Sequence, residues 1–181
     1  MKLDNWRRWL PNLVIFHVVW VAAVDGAAWG HWWWGPLSVV LWAAWELPRS
    51  PCLRADLWLM LVAGVVGFGL DTLWVQSGLM RYASPLPWES VAPAWIVSLW
   101  VGFALTLNHS LYPLKTRPAW AAMLGLTGGP LAYWLGERSD RAVVLATPPW
   151  LALACLGFAW AIVTPLLLIT ARKLEVLDAR Q

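Results

Sequence analysis

Long apolar runs alternate with short polar stretches along the whole chain, and their lengths suit a bilayer better than a globule. Reading each run to its punctuating proline, glycine or charge predicts six helices, at about 11–29, 32–47, 56–80, 92–113, 118–136 and 143–170. A helix rising 1.5 Å per residue needs roughly 20 apolar residues to cross a hydrocarbon core of about 30 Å. The second run is short and opens on Trp32-Trp33-Trp34-Gly35-Pro36. The last contains Pro148, Pro149 and Pro165, so it is expected to bend or to begin late. The fold expected is all-α: one polytopic membrane helix bundle over residues 1–181, with six transmembrane helices. No soluble domain, linker or low-complexity segment is evident, and Arg172 to Gln181 reads as the last helix continuing into the cytoplasm.

Small residues recur at helical spacing in three of the runs. The third carries Gly64, Gly67, Asp71, Trp74 and Gly78, the fourth Ala94, Ser98, Gly102, Leu105 and His109, and the fifth Ala121, Gly125, Gly129, Ala132 and Gly136. Helices in lipid associate through close backbone approach at such stripes. A tight central bundle of the third, fourth and fifth helices is therefore expected, with Asp71 and His109 facing protein.

Composition strengthens the membrane reading. The chain is 60% hydrophobic and 13% charged, with a mean hydropathy of +0.59, against about 25% charged residues in a soluble domain. Many of the 18 tryptophans fall where helices should end: Trp6, Trp9, Trp29, Trp32 to Trp34, Trp88, Trp95 and Trp120. Interfacial anchoring accounts for that placement. The net charge of +3 carries no basic stripe interleaved with aromatics, so nucleic acid is not an expected partner.

Lysine and arginine instead set orientation. With the N-terminus inside, the inner segments hold Lys2, Arg7, Arg8, Arg49, Arg54, Lys115, Arg117, Arg172, Lys173 and Arg180. The outer loops hold Arg81, Arg138 and Arg141, a bias of 10 to 3 across all 13 cations. Both termini are expected in the cytoplasm of a cell bounded by an inner membrane. A basic start followed by Gly26-Ala27-Ala28 has the outline of a cleavable signal, but Asp25 and the flanking tryptophans favour retention. Cys52 and Cys155 form neither a disulfide framework nor a CxxC pair and read as structural.

Polar groups inside the apolar runs mark where function is sought, because a carboxylate at mid-membrane costs at least about 2.5 kcal/mol. Helical rise puts Asp71 about 22 Å along the third helix, level with Asp25 and Ser98, with Gln76 nearby. A second layer lies toward the cytoplasm: His17, Glu46, Asn108 and His109. Tyr133 and Trp74 complete the set of candidate ligand-binding residues, which is Asp71, Trp74, Asn108, His109, Ser98, Asp25 and Tyr133. Burial leaves Asp71 needing a partner, for which Arg81, a serine or a backbone donor are the alternatives. His17, Glu46 and His109 have the types of a two-histidine, one-carboxylate metal site, but they come from three helices and no spacing requires it. No metal, cofactor or catalytic fingerprint is called for.

Those residues carry a resemblance. The strings GFGLDTLWVQSGLM at 67–80, WIVSLWVGFALTLNHSL at 95–111 and GGPLAYWLGER at 128–138, with Val91-Ala92-Pro93, resemble a family of small proteobacterial inner-membrane proteins known as domain of unknown function 2878. The likeness spans nearly the whole length. It implies a multi-pass inner-membrane protein and no reaction, and its matching positions are Asp71, Asn108, His109, Ser110, Gly128, Gly129, Pro130 and Tyr133.

Three functions are expected to compete. One is binding or handling of an apolar membrane ligand (a lipid, isoprenoid or tetrapyrrole) in an intrabundle pocket lined by Asp71 and tryptophan. In architecture the chain is similar to the tryptophan-rich sensory proteins that bind porphyrins and sterols. The second is a membrane enzyme with Asp71 as acid or base. The third is a small transporter or ion pathway through Asp71 and Asp25, for which six spans permit inverted repeats, though the two halves show no internal similarity. Membrane lipids are the expected partners in all three.

Overall fold

The structure, a computed structural model, describes residues 6–178, with side chains from Trp9 onward. Lys2 and Arg180, and the side chains of Trp6, Arg7 and Arg8, lie outside the described residues. Six helices succeed one another: α1 (Trp6–Ala28), α2 (Trp34–Glu46), α3 (Leu53–Gln76), α4 (Ala94–Leu107), α5 (Pro118–Arg138) and α6 (Pro149–Asp178). Short 3-10 turns at Leu47–Arg49 and Tyr112–Thr116 come after α2 and α4.

Two departures from expectation have local causes. The third helix stops at Gln76 rather than near residue 80, because Gly78 adopts φ +73° and turns the chain. The chain then enters a strand, β1 (Met80–Tyr82), antiparallel to β2 (Val143–Leu145), with Arg81 opposite Val144. In both, the outer residues are buried and the middle one exposed, the period-two alternation of a strand. The last helix accordingly begins at Pro149, since a residue before proline avoids the helical region.

The fourth helix ends at Leu107 instead of 113. Pro113 has no N–H to give and its ring would strike the carbonyl four residues back, so the chain leaves the helix over Asn108–Leu111. Asn108 and His109 therefore sit in a turn, not within a span.

α4 is the hub, packing on α1, α2, α3 and α6, while α5 lies against α6. That corrects the expected bundle of helices three, four and five. Gly67 of α3 does face Trp100 of α4, but Gly125 and Gly129 of α5 are filled by Trp160 of α6.

Large apolar side chains lie on both sides of the fold: Leu59, Trp95, Leu105 and Leu156 fill the interior beside Ala23, Ala63, Ala104 and Ala171, while Val18, Val40, Leu41, Leu61, Val65, Phe158 and Ile162 are exposed. Exposed apolar residues in such number are unusual for a surface that meets only water. Among the described residues, three helices are long and apolar enough to cross a membrane: Trp9–Ala28, Leu53–Gln76 and Pro149–Asp178. At 13 and 14 residues, α2 and α4 reach only about 20 Å each. Trp29, Trp33, Trp88 and Trp120 are exposed as anchors should be, but Trp95 is wholly buried and donates to the Ala83 carbonyl at 2.9 Å.

Candidate functional site

Two buried carboxylates organise the interior, one toward each end of α3. Asp71 is 0% exposed. Its Oδ1 accepts the hydroxyls of Tyr82 (2.5 Å) and Tyr133 (2.7 Å), and its Oδ2 accepts the Trp100 indole N–H at 2.6 Å. Four elements thus meet at one side chain: α3, β1, α4 and α5. Burial, and next the Asp71 carboxylate, push the Tyr82 hydroxyl well above the usual phenol range, so it stays a donor. Trp100 in turn stacks on Trp160 of α6, with centroids 4.3 Å apart.

Of the other residues expected at this level, Tyr133 joins Asp71 and the rest do not. Trp74 is buried one turn on, without bonding it. Ser98 donates to its own helix at the Trp95 carbonyl, 2.7 Å. The Asp25 carboxylate makes no hydrogen bond among the described residues, and Arg81 and Gln76 are exposed. A carboxylate with three donors and no surface is sealed. In this conformation Asp71 ties helices together and has no open surface.

The second carboxylate, Asp56, lies in the first turn of α3, where the helix dipole favours negative charge. Its Oδ2 accepts Ser50 Oγ at 2.5 Å and pairs with His109 Nε2 at 3.1 Å, while Oδ1 accepts Asn108 Nδ2 at 2.6 Å. The other imidazole nitrogen, Nδ1, faces Glu46 Oε1 at 3.4 Å, and Glu46 Oε2 accepts the Trp42 indole N–H at 3.2 Å. His109 is thereby gripped between carboxylates from α2 and α3. Asn12 of α1 adds a tether, donating to the Leu105 carbonyl and accepting Ser110 Oγ at 2.7 Å.

Exposure separates the members of this cluster. The Asp56 side chain is 0% exposed, whereas His109 and Glu46 retain 13% and 12%. Asn108 Oδ1 is buried with no hydrogen-bond partner among the described residues. When protonated, the imidazole donates from both nitrogens and satisfies both carboxylates. Both ring nitrogens are then committed, and the open acceptor capacity of the pair lies on the partly exposed Glu46 carboxylate. Ser50 donates to Asp56 rather than to the ring, so it is not arranged as a histidine-activated nucleophile. The neighbouring Cys52 thiol is buried, and burial, followed by the Asp56 carboxylate, raises it above its usual range.

His17 stands apart from this pair: it is exposed, and its Nδ1 donates to the Leu13 carbonyl of its own helix at 2.8 Å. Among the described residues, no three His, Cys, Asp or Glu side chains are arranged to hold a metal ion. The sequence reading passed over Asp56, Tyr82 and Trp100. A signal for Asp56 existed, because the adjacent Asn108 and His109 required an acidic partner at their depth.

No curated protein and no solved structure matches the chain. A family model matches residues 9–166, covering most of the sequence and reaching the two carboxylates, both tyrosines and the Asn108-His109 turn. The chain belongs to the family described as protein of unknown function (DUF2878).

Proposed function

We propose that this is a multi-pass membrane protein with six membrane-embedded helices and both termini in the cytoplasm, which binds an amphipathic membrane ligand at the inner end of the bundle. The reading rests on one observation above others: His109 and Glu46 are fixed by hydrogen bonds yet partly open to the surface. A ligand with a polar head and an apolar tail would put its head on that pair and its tail along the exposed helix faces. An enzyme acting on such a ligand is the second reading, favoured by the two carboxylates that orient one imidazole for acid–base work.

Charge sets the orientation. Arg49, Arg54, Lys115, Arg117, Arg172 and Lys173 share the end where α3 begins and α6 ends, while Arg81, Arg138 and Arg141 share the other. Reporter fusions in the 83–92 loop and after residue 181 are expected to read outside and inside, respectively. Two fusions on the same side would remove the six-span arrangement.

The ligand is tested by native mass spectrometry of protein extracted gently from membranes, with wild type, His109→Ala and Glu46→Gln side by side. A discrete lipid-like molecule should accompany the wild type and fall at least about tenfold in Glu46→Gln, as loss of one charged hydrogen bond implies, and likewise in His109→Ala, which frees the Glu46 carboxylate to move. Bulk phospholipid alone, unchanged across the three, would refute the reading.

A further inference from the structure

Beside the polar cluster, the cytoplasmic end of α6 forms a groove against the 3-10 turn after α4. It has a volume of about 540 Å³ and is lined by Lys115, Ile169, Arg172, Lys173, Val176 and Leu177. Three of the six are cations and three are aliphatic. We propose that this groove binds the phosphodiester headgroup of an anionic phospholipid, with Arg172 and Lys173 holding the phosphate and the aliphatic side chains lying along its glycerol and upper acyl carbons.

Charge bookkeeping within the groove carries the argument. Lys115 is nearly buried, its side chain 3% exposed, and its Nζ is bound to Glu175 Oε2 at 2.8 Å and sits over the Tyr112 ring at 4.6 Å. Lys115 therefore shapes the wall, with its charge already neutralised. The other acid of the last turns, Asp178, accepts from the Ala55 backbone N–H at 3.5 Å, which docks the end of α6 on the start of α3. Neither acid forms an ion pair with Arg172 or Lys173, and both cations are exposed and without an ion-pair partner among the described residues. A pair of unneutralised cations held on one rigid helix is complementary to one anion.

The apolar residues narrow the source of that anion. Ile169, Val176 and Leu177 are 43%, 48% and 55% exposed on either side of the basic pair. A free phosphate would leave them in water, whereas a lipid covers them while its headgroup meets the cations. Juxtamembrane cations attract anionic lipid at about 1 kcal/mol each, about a fivefold preference per cation.

The proposal rests on the membrane reading but not on the ligand at His109, and the test separates them. The full chain is placed in nanodiscs of equal phosphatidylglycerol and phosphatidylcholine, and the lipids retained after delipidation by detergent are counted by mass spectrometry. Wild type is compared with Arg172→Ala/Lys173→Ala and with the charge-matched Arg138→Ala/Arg141→Ala at the opposite end. Wild type and the control pair should retain phosphatidylglycerol over phosphatidylcholine, and the α6 pair should lose that preference by roughly tenfold or more. Millimolar inorganic phosphate should not displace the lipid. No preference in wild type, equal loss in both double variants, or displacement by phosphate alone would each overturn the proposal while leaving the membrane reading in place. A chain that incorporates into no nanodisc would overturn both.

Discussion

Replacing Asp71 with alanine should cost about 3–9 kcal/mol, enough to unfold the chain in mild detergent. The carboxylate is the shared acceptor of Tyr82, Tyr133 and Trp100, and truncation strands all three buried donors. Each orphaned donor costs about 1–3 kcal/mol, against total stabilities of about 5–15 kcal/mol for ordinary domains. Asp71→Asn should be far milder, about 1–2 kcal/mol. Its carbonyl oxygen can face the fixed Trp100 N–H while the tyrosine oxygens accept from its amide and the Tyr82 O–H turns to Met80 Sδ, 3.6 Å away, so that one donor rather than three is stranded. The measurement is thermal unfolding followed by circular dichroism and size-exclusion recovery. An alanine variant as stable as wild type would refute the reading of Asp71 as the tie between helices. Near-equal damage from Asn and Ala would instead mean that the negative charge itself is required.

Gly125→Ala should be the most damaging conservative change on α5. A Cβ built there lies 2.1 Å from the Trp160 backbone oxygen and 2.7 Å from Thr164 Oγ1. Backbone cannot rotate aside as a side chain can, so α5 must move off α6 over their main contact. The cost is expected to be at least about 3 kcal/mol, the upper end for overpacking. Gly69→Ala provides the contrast: its Cβ would meet nothing within 4 Å, and helix propensity predicts a neutral or slightly stabilising effect of up to about 1 kcal/mol. Melting both variants in the same detergent checks the pair, and equal melting temperatures would sink the claim that Gly125 is a contact glycine.

Much of this architecture was legible because it repeats. Six apolar runs gave six helices, and the stripe through Gly67 and Asp71 identified the face of α3 that meets α4. A stripe records a groove but not what fills it, which is why Gly125 and Gly129 pointed to α5 without disclosing Trp160 as their partner. The strands at 80–82 and 143–145 are three residues each, too short for any period to register. Pro113 stood in plain view as a helix terminator, yet the apolar run around it was stronger to the eye. Asp56 was hidden by position, since an acid in a first helical turn is ordinarily solvated and satisfied by the helix end. Tyr82 was hidden by its segment, which continued an apolar helix in sequence but leaves it at Gly78 in space.

The pairing of β1 with β2 has a mechanical consequence. Those strands join the connection between α3 and α4 to the connection between α5 and α6, and Tyr82 and Tyr133 reach the same Asp71 oxygen just beneath them. The two halves of the chain are therefore buckled together at the end of the bundle where α3 stops and α6 begins. A carrier that rocks one half against the other must open that buckle twice in every cycle, breaking ladder hydrogen bonds and unsealing a buried carboxylate each time. A body fastened in this way resists motion of one half against the other.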